Sequence, residues 1–261
     1  MHFGAVMLLL AMIAGCHEVP ITGRKAFVAM PEGQMAYFAE KSFAEIKRKG
    51  PISTDKKVTQ RITEIGQRIT KVSGSELDWE FIVLDEPGTA NAFCLPGGKV
   101  AIYTGILPVA KTDAGLAAII GHEVGHVIAR HGAERTTQRL SANIGLLIVS
   151  LFIDAGGMSR IIMETVGMGV NVGMLLPFSR LHETEADVIG LHYMARAGYD
   201  PREAVGVWDR MARKSSGRGP AFLSTHPNSA ERAKDLAAKL TDVIPMYEKS
   251  EKRPARNLDV N

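Results

Sequence analysis

An α+β chain, mainly helical, with a small sheet set beside one central helix, is the fold class this sequence predicts. Three observations predict it. Apolar residues recur at helical spacing in several segments. Only two stretches, 79–84 and 99–103, read as strands bounded by turn residues. One apolar segment, from Asp113 to near Gly132, holds two histidines and a glutamate at helical spacing.

The chain opens on an apolar run, Phe3 to Ile13, too short to span a bilayer. It leads into Ala14-Gly15-Cys16, and small residues before a cysteine are the pattern of a lipoprotein signal. Residues 1–15 are therefore read as a signal peptide and Cys16 as a lipidation site, an anchor rather than a span. The run departs from the usual pattern in having no Lys or Arg before it, and a signal peptide without lipid is the alternative. Residues 16–31, with Pro20, Gly23 and Pro31, read as an extended tether. A single folded unit over 32–245 follows, and 246–261 reads as a charged, frayed tail.

Within that unit Glu32 to Lys49 forms a helix ended by Gly50-Pro51. Asp55 to Val72 forms another, with Val58, Ile62, Ile65 and Ile69 on one face. Trp79 to Leu84 is a strand. Ala90 to Cys94 and Lys99 to Tyr103 flank a Pro96-Gly97-Gly98 turn and complete a small sheet. Its exposed edge at Asn91, Ala92, Phe93 and Cys94 is a place for an extended peptide to add; a plain internal hairpin is the alternative. The central helix follows, with Asp113 as its cap. Two apolar runs, 138–153 and 166–176, are each shorter than a membrane span. Core, lid and shallow membrane contact all remain open for them. Helices are then expected around Glu183 to Ala197, over Arg202 to Lys214, and over Ser229 to Leu240.

Composition sets bounds. Hydrophobic content of 46% and charged content of 23% are those of an ordinary globular protein. A net charge of +3 with no basic stripe argues against nucleic acid as a partner. Of the two cysteines, lipidation of Cys16 leaves Cys94 without an intrachain partner, so no disulfide is needed.

The chemistry sits in Gly121-His122-Glu123-Val124-Gly125-His126. Residues four apart stand one above the other on a helix, so His122 and His126 can grip one metal ion. Glu123 is one step on, within reach of water at that metal. This H-E-x-x-H pattern is the signature of a zinc metallopeptidase. Gly121 and Gly125 cost about 1 kcal/mol each in a helix, which implies close approach of another backbone or of a substrate. The pattern does not continue as H-x-x-G-x-x-H, because Ala129 and Gly132 stand at the required positions. His131, five after His126, reads as a surface or outer residue.

A later helix offers the third ligand. Glu183 and Asp187 share a face, whereas Glu185 points nearly the opposite way. Glu183 is thus the candidate ligand and Asp187 the carboxylate that accepts the free N–H of a ligand histidine.

Together, the H-E-x-x-H helix and the Ser179-Arg180…Glu183…Glu185-Ala186-Asp187…Gly190 segment resemble the HtpX and CAAX-prenyl-protease family of zinc metallopeptidases. Asn91-Ala92-Phe93…Pro96-Gly97-Gly98 and Ser224-Thr225-His226-Pro227…Arg232 are similar to further segments of that family. Val19-Pro20-Ile21-Thr22-Gly23-Arg24 resembles the opening of its small periplasmic lipoprotein members. The resemblance implies a zincin-like catalytic domain of the gluzincin type with one Zn²⁺ per chain. It also implies an envelope protein that degrades unfolded or misassembled membrane and periplasmic polypeptides as quality control. His17, where an Asp would retain such a lipoprotein at the inner membrane of a Gram-negative cell, favours the outer membrane.

The resemblance places His226 near the site, either touching substrate or oxyanion, or filling the open metal position and keeping the enzyme latent. A helix-capping loop histidine is the plain alternative. Arg232 either stabilises developing negative charge or pairs with a carboxylate. Two other functions compete with a working peptidase. One is a latent zinc protein that acts as chaperone or scaffold in outer-membrane protein assembly. The other, a prenyl-protein protease within a membrane, is weakened by the absence of an apolar run long enough to span.

Overall fold

Both faces of a three-stranded sheet are covered by helices, and that layering fixes where the functional helix lies. The computed structural model describes residues 16–141, 178–214, 221–227 and 232–258. The signal peptide and most of the two apolar runs lie outside the described residues.

The sheet is built from β3 (Glu80–Leu84), β4 (Ala92–Leu95) and β5 (Lys99–Tyr103), in the order β3-β5-β4. β4 and β5 are antiparallel, joined by the expected turn, in which Gly97 and Gly98 take φ of 79° and 83°. Such angles are open to glycine and strained for most other residues. β3 runs parallel to β5 on its other side, so β4 is an edge. Side chains alternate across the sheet. Phe81, Val83, Val100 and Ile102 enter the main core, while Ile82, Leu84 and Ala101 face the opposite way. There they pack on Ala39 and Phe43 of α1 (Glu32–Lys49).

On the main-core face lies α2 (Lys56–Ser73), capped by the Asp55 side chain on the N–H groups of Lys57 and Val58. It buries Ile62, Ile65 and Ile69, as its pattern requires. After a short helix α3 (Leu107–Ala110), the central helix α4 runs over Asp113–Ile128 and is buried on nearly every side. Its cap is Thr112, whose hydroxyl accepts from the Gly115 N–H at 3.0 Å. Asp113, expected as the cap, is instead held by Arg61. The helix also ends earlier than expected. Arg130 takes φ of 56°, and a new helix, α5, runs from 131 to the last described residue before the gap, 141.

α6 (Arg180–Arg196), capped by Ser179, packs along α4 at backbone contact. A Cβ on Gly125 would stand 2.9 Å from the Ala186 carbonyl oxygen, and one on Gly190 would stand 2.9 Å from the His122 nitrogen. The two costly glycines of α4 are thus explained by a neighbouring helix rather than by substrate. α7 (Arg202–Lys214), a single turn α8 (Phe222–Thr225) and α9 (Arg232–Lys249) close the core.

Two segments depart from expectation at the ends of the chain. Residues 16–31 are not a free tether. β1 (Cys16–Glu18) and β2 (Lys25–Phe27) form an antiparallel hairpin, and Val19, Ala26 and Val28 are buried in the main core. Nor is the tail frayed from residue 246. α9 continues through Pro245 because Val243 and Tyr247 are buried on either side of it. Beyond it the chain is tied down by backbone bonds from Arg253 to Gly198, from Asp113 to Arg256 and from Leu258 to Lys111.

Candidate metal centre

α4 delivers His122, Glu123 and His126 to one place because its helical pitch stacks them over the sheet edge. α6 brings Glu183 opposite them, and the small residues at the crossing let it come that close. The Nε2 atoms of His122 and His126 are 3.0 Å apart. Glu183 sets Oε2 at 3.5 Å from the first and Oε1 at 3.4 Å from the second. All are 3% exposed or less. His226, at the end of α8, joins them with Nδ1 at 3.1 Å from Glu183 and 3.2 Å from His122 Nε2. Ligand atoms of these four residues lie within 4.8 Å of one another. Such convergence of imidazole lone pairs on an ionised carboxylate is costly unless something positive sits between them.

The titration behaviour agrees. Burial works against the Glu183 carboxylate, yet His122, His126 and His226 outweigh it and hold the group far below the usual range. Burial opposes charge on His122, and Asp187 and Glu183 overcome this to raise it to about 9. On His126 burial prevails and pushes the ring well below its ordinary value. Glu123 is raised, first by burial and then by Glu183, against the pull of His226 and His122. Its Oε1 is buried without a hydrogen bond, 3.3 Å from His226 Nε2. Two imidazoles with a carboxylate are a donor set that suits zinc, so the residues fit the expected ion.

Asp187 stands where the sequence puts it, with Oδ1 2.9 Å from His122 Nδ1. Arg232 decides between its two expected roles. Its Nε and Nη2 donate to Asp187 at 2.8 and 2.6 Å, its Nη1 donates to Glu183 at 2.5 Å, and its plane lies over Trp208. It therefore pairs with the carboxylates from behind the ligands and is not placed to meet an oxyanion. His226 is no mere capping residue, since it is 1% exposed and stacked on Phe222 with ring centroids 4.3 Å apart.

A cavity of about 410 Å³ opens in front of Glu123 and His126, walled by β4 and α1. Asn91, Phe93 and Cys94 line it, as expected, with Met35, Ile46 and Tyr103. Ala92 does not; it is fully buried beneath the strand, because neighbouring residues of a strand face opposite ways. The Cys94 thiol is pushed up by burial and by Glu123, which denies it a nucleophile's role. Cys16 is exposed at the first described position.

Of the two places open to His131, surface or outer residue of the site, the structure takes the second, and it adds Glu185 and Arg24, which sequence reasoning missed. His131 is fully buried, with Nδ1 2.9 Å from His126 Nδ1 and Nε2 2.9 Å from Glu185. Burial holds this ring down at about 4. Glu185 in turn accepts from Arg24 Nε at 2.7 Å. The helix break at Arg130 swings His131 back under His126, and no residue type announces that break.

The sequence match to Peptidase family M48 runs over residues 55–240, which includes α4, α6 and His226. The chain belongs to that family. Among M48 relatives, it is 40% identical over 226 residues to the mitochondrial metalloendopeptidase OMA1 of Schizosaccharomyces pombe. That match covers 84% of this chain and 64% of the relative. Against the OMA1 of Saccharomyces cerevisiae it is 37% identical, covering 74% and 57%. Against the beta-barrel assembly-enhancing protease of Escherichia coli it is 26% identical, covering 89% and 49%. The chain thus spans about half to just under two thirds of these relatives' lengths. The M48 membership and the metalloendopeptidase names support the expected metallopeptidase. They do not favour its small periplasmic lipoprotein members, since the mitochondrial proteins are the more similar. Among the described residues no helix is long and apolar enough to cross a membrane.

Proposed function

We propose that this chain is a zinc-dependent endopeptidase acting on unfolded or misassembled polypeptides at a membrane, as a quality-control enzyme. The observation that carries it is the convergence of His122, His126 and Glu183 beside a buried Glu123 carboxylate, at the mouth of a groove bounded by a sheet edge. His122 and His126 through Nε2, and Glu183 through its carboxylate, would hold the ion. Bound there, zinc supplies Lewis-acid polarisation and acidifies water. Glu123 does the proton work: Oε1, free of hydrogen bonds, accepts a proton from the attacking water and returns it to the leaving amine. Its raised affinity for protons suits that exchange. An extended substrate would lie along β4, with apolar side chains against Met35, Ile46 and Phe93. The lipoprotein pattern before Cys16 supports anchoring to an envelope membrane through that residue, with His17 favouring the outer one.

The test compares a chain starting after Cys16 with its Glu123→Gln variant, on casein, with zinc content measured for both. Equal zinc in both with cleavage lowered about 10²–10⁴-fold in the variant is expected for loss of a general base. Equal cleavage by both would overturn the assignment of Glu123, and no zinc in either would overturn the metal site.

One observation favours a second state. His226 sits among the ligands, where an open position is needed for water. A closed centre of this kind fits a latent enzyme, and with it the reading of a chaperone or scaffold whose cleavage is held off.

A further inference from the structure

The two histidines that face the metal position are held in different ways, and the second way reaches the far N-terminal hairpin. The polar atoms that link His126, His131, Glu185 and Arg24 are all partnered. The Nδ1 atoms of His126 and His131 meet at 2.9 Å, so one carries the proton and the other accepts it. His131 Nε2 meets Glu185 Oε2, also at 2.9 Å. An ionised carboxylate only accepts, so His131 must carry its proton on Nε2. A neutral His131 then offers a lone pair at Nδ1, and His126 must donate from its own Nδ1. That leaves His126 Nε2 bare, turned to Glu183 and His122. The chain of bonds thus selects the one tautomer of His126 that can ligate.

Glu185 is itself fixed from outside. Oε2 takes the Arg24 Nε–H at 2.7 Å and Oε1 takes the Thr22 hydroxyl at 2.5 Å. The two Nη groups of Arg24 fork onto Glu134 at 2.9 and 2.7 Å. Glu134 also holds His182, whose ring stacks on His131 at 4.3 Å. The turn that carries Thr22 and Arg24 is pinned by Val19, fully buried, and closed by backbone bonds between Val19 and Arg24 and between Gly23 and Val19.

We propose that His131 and Glu185 are positioning residues for His126, and that Arg24 of the hairpin locks them. The hairpin is then a working part of the metal centre rather than a spacer. This rests on the metal-site reading above. Its test is zinc affinity, by competition with a chelator, in the chain starting after Cys16. The same preparations are loaded with cobalt for their absorption spectrum, and the melting temperature of the metal-free forms is recorded.

His131→Phe keeps the stacking and removes both bonds. Loss of an outer partner of a ligating histidine typically weakens metal binding about 10–100-fold. That loss, together with an altered cobalt spectrum, is expected for His131→Phe. A smaller loss in the same direction is expected for Arg24→Gln, restored only in part by Arg24→Lys, whose single ammonium cannot reproduce the fork. Should His131→Phe fail to fold, the Arg24 pair reads the same outcome from outside the core. Zinc affinity within twofold of wild type in the folded variants, with an unchanged cobalt spectrum, would overturn the proposal even if melting temperatures fall. Absence of zinc binding by wild type would instead overturn the metal site itself.

Discussion

Three of the four groups at the centre arrive on long helices, and the fourth arrives on a single turn. His122, His126 and Glu183 sit on α4 and α6, whose backbones touch at Gly121, Gly125, Ala186 and Gly190. Nothing there can move without parting two buried helices. His226 follows the four-residue helix α8, held by a backbone bond to Phe222, by aromatic stacking and by Nδ1 at 3.1 Å from Glu183. Packing thus divides the site into a part carried on two long helices in backbone contact and a part carried on one short turn. On the proposed reading, three ligands fixed by packed helices and one dismissible ligand on a short turn would let the centre be fully assembled and still be off.

The sharpest way to break this comparison is to force the helices apart. Gly125→Val puts branched carbons where even one Cβ stands 2.9 Å from the Ala186 oxygen. Overpacking typically costs about 1–3 kcal/mol and more where backbone must shift. Here the obstacle is backbone, so a loss above ~3 kcal/mol is expected, together with loss of bound zinc. Urea unfolding and metal analysis check it. Retention of zinc at wild-type stability would mean that the crossing does not set the ligand geometry.

The second prediction acts on the dismissible part. His226→Ala should leave zinc bound through the three fixed ligands and speed casein cleavage. A gain of about tenfold would correspond to roughly 1.4 kcal/mol of competing ligation removed. Initial rates at saturating zinc, for wild type and variant, decide it. A fall in rate would instead assign His226 to substrate or oxyanion, its other expected role.

How much of this was legible in the sequence follows the same division. The spacing of His122, Glu123 and His126 fixes their geometry as soon as the helix forms, and Glu183 with Asp187 is read in the same way. The bounds of α1 and α7 coincide with those expected, because Gly50-Pro51 and Gly198 to Pro201 stop the chain by their own backbone chemistry. What escaped depends on backbone turns made by ordinary residues. Ile21 and Arg130 both take positive φ, which neither side chain advertises. The first makes the N-terminal hairpin and the second returns His131 to the site. Strands as short as Cys16–Glu18 and Lys25–Phe27 carry too few residues for alternation to show. The tail is held through backbone bonds, on which composition is silent.

The last prediction sharpens the comparison from the outer edge. Glu134 is opposed by burial but held down to about 2 by His182 and Arg24, against an ordinary value of 4.5. A carboxylate depressed on folding stabilises the protein above its unfolded value and ceases to do so as pH falls through its folded value. The stability from the Arg24–Glu134 pair is therefore complete above about 4.5 and lost on descent to about 2. Metal-free wild type and Glu134→Gln should differ in melting temperature at pH 7 by a few degrees, at about 2–4 °C for each kcal/mol in a domain of this size. The gap should close between pH 4.5 and 2, as wild type comes to resemble the variant. A gap that persists unchanged down to pH 2 would show that Glu134 stabilises the protein independently of its charge. In that case the Arg24–Glu134 ion pair would carry no stability of its own.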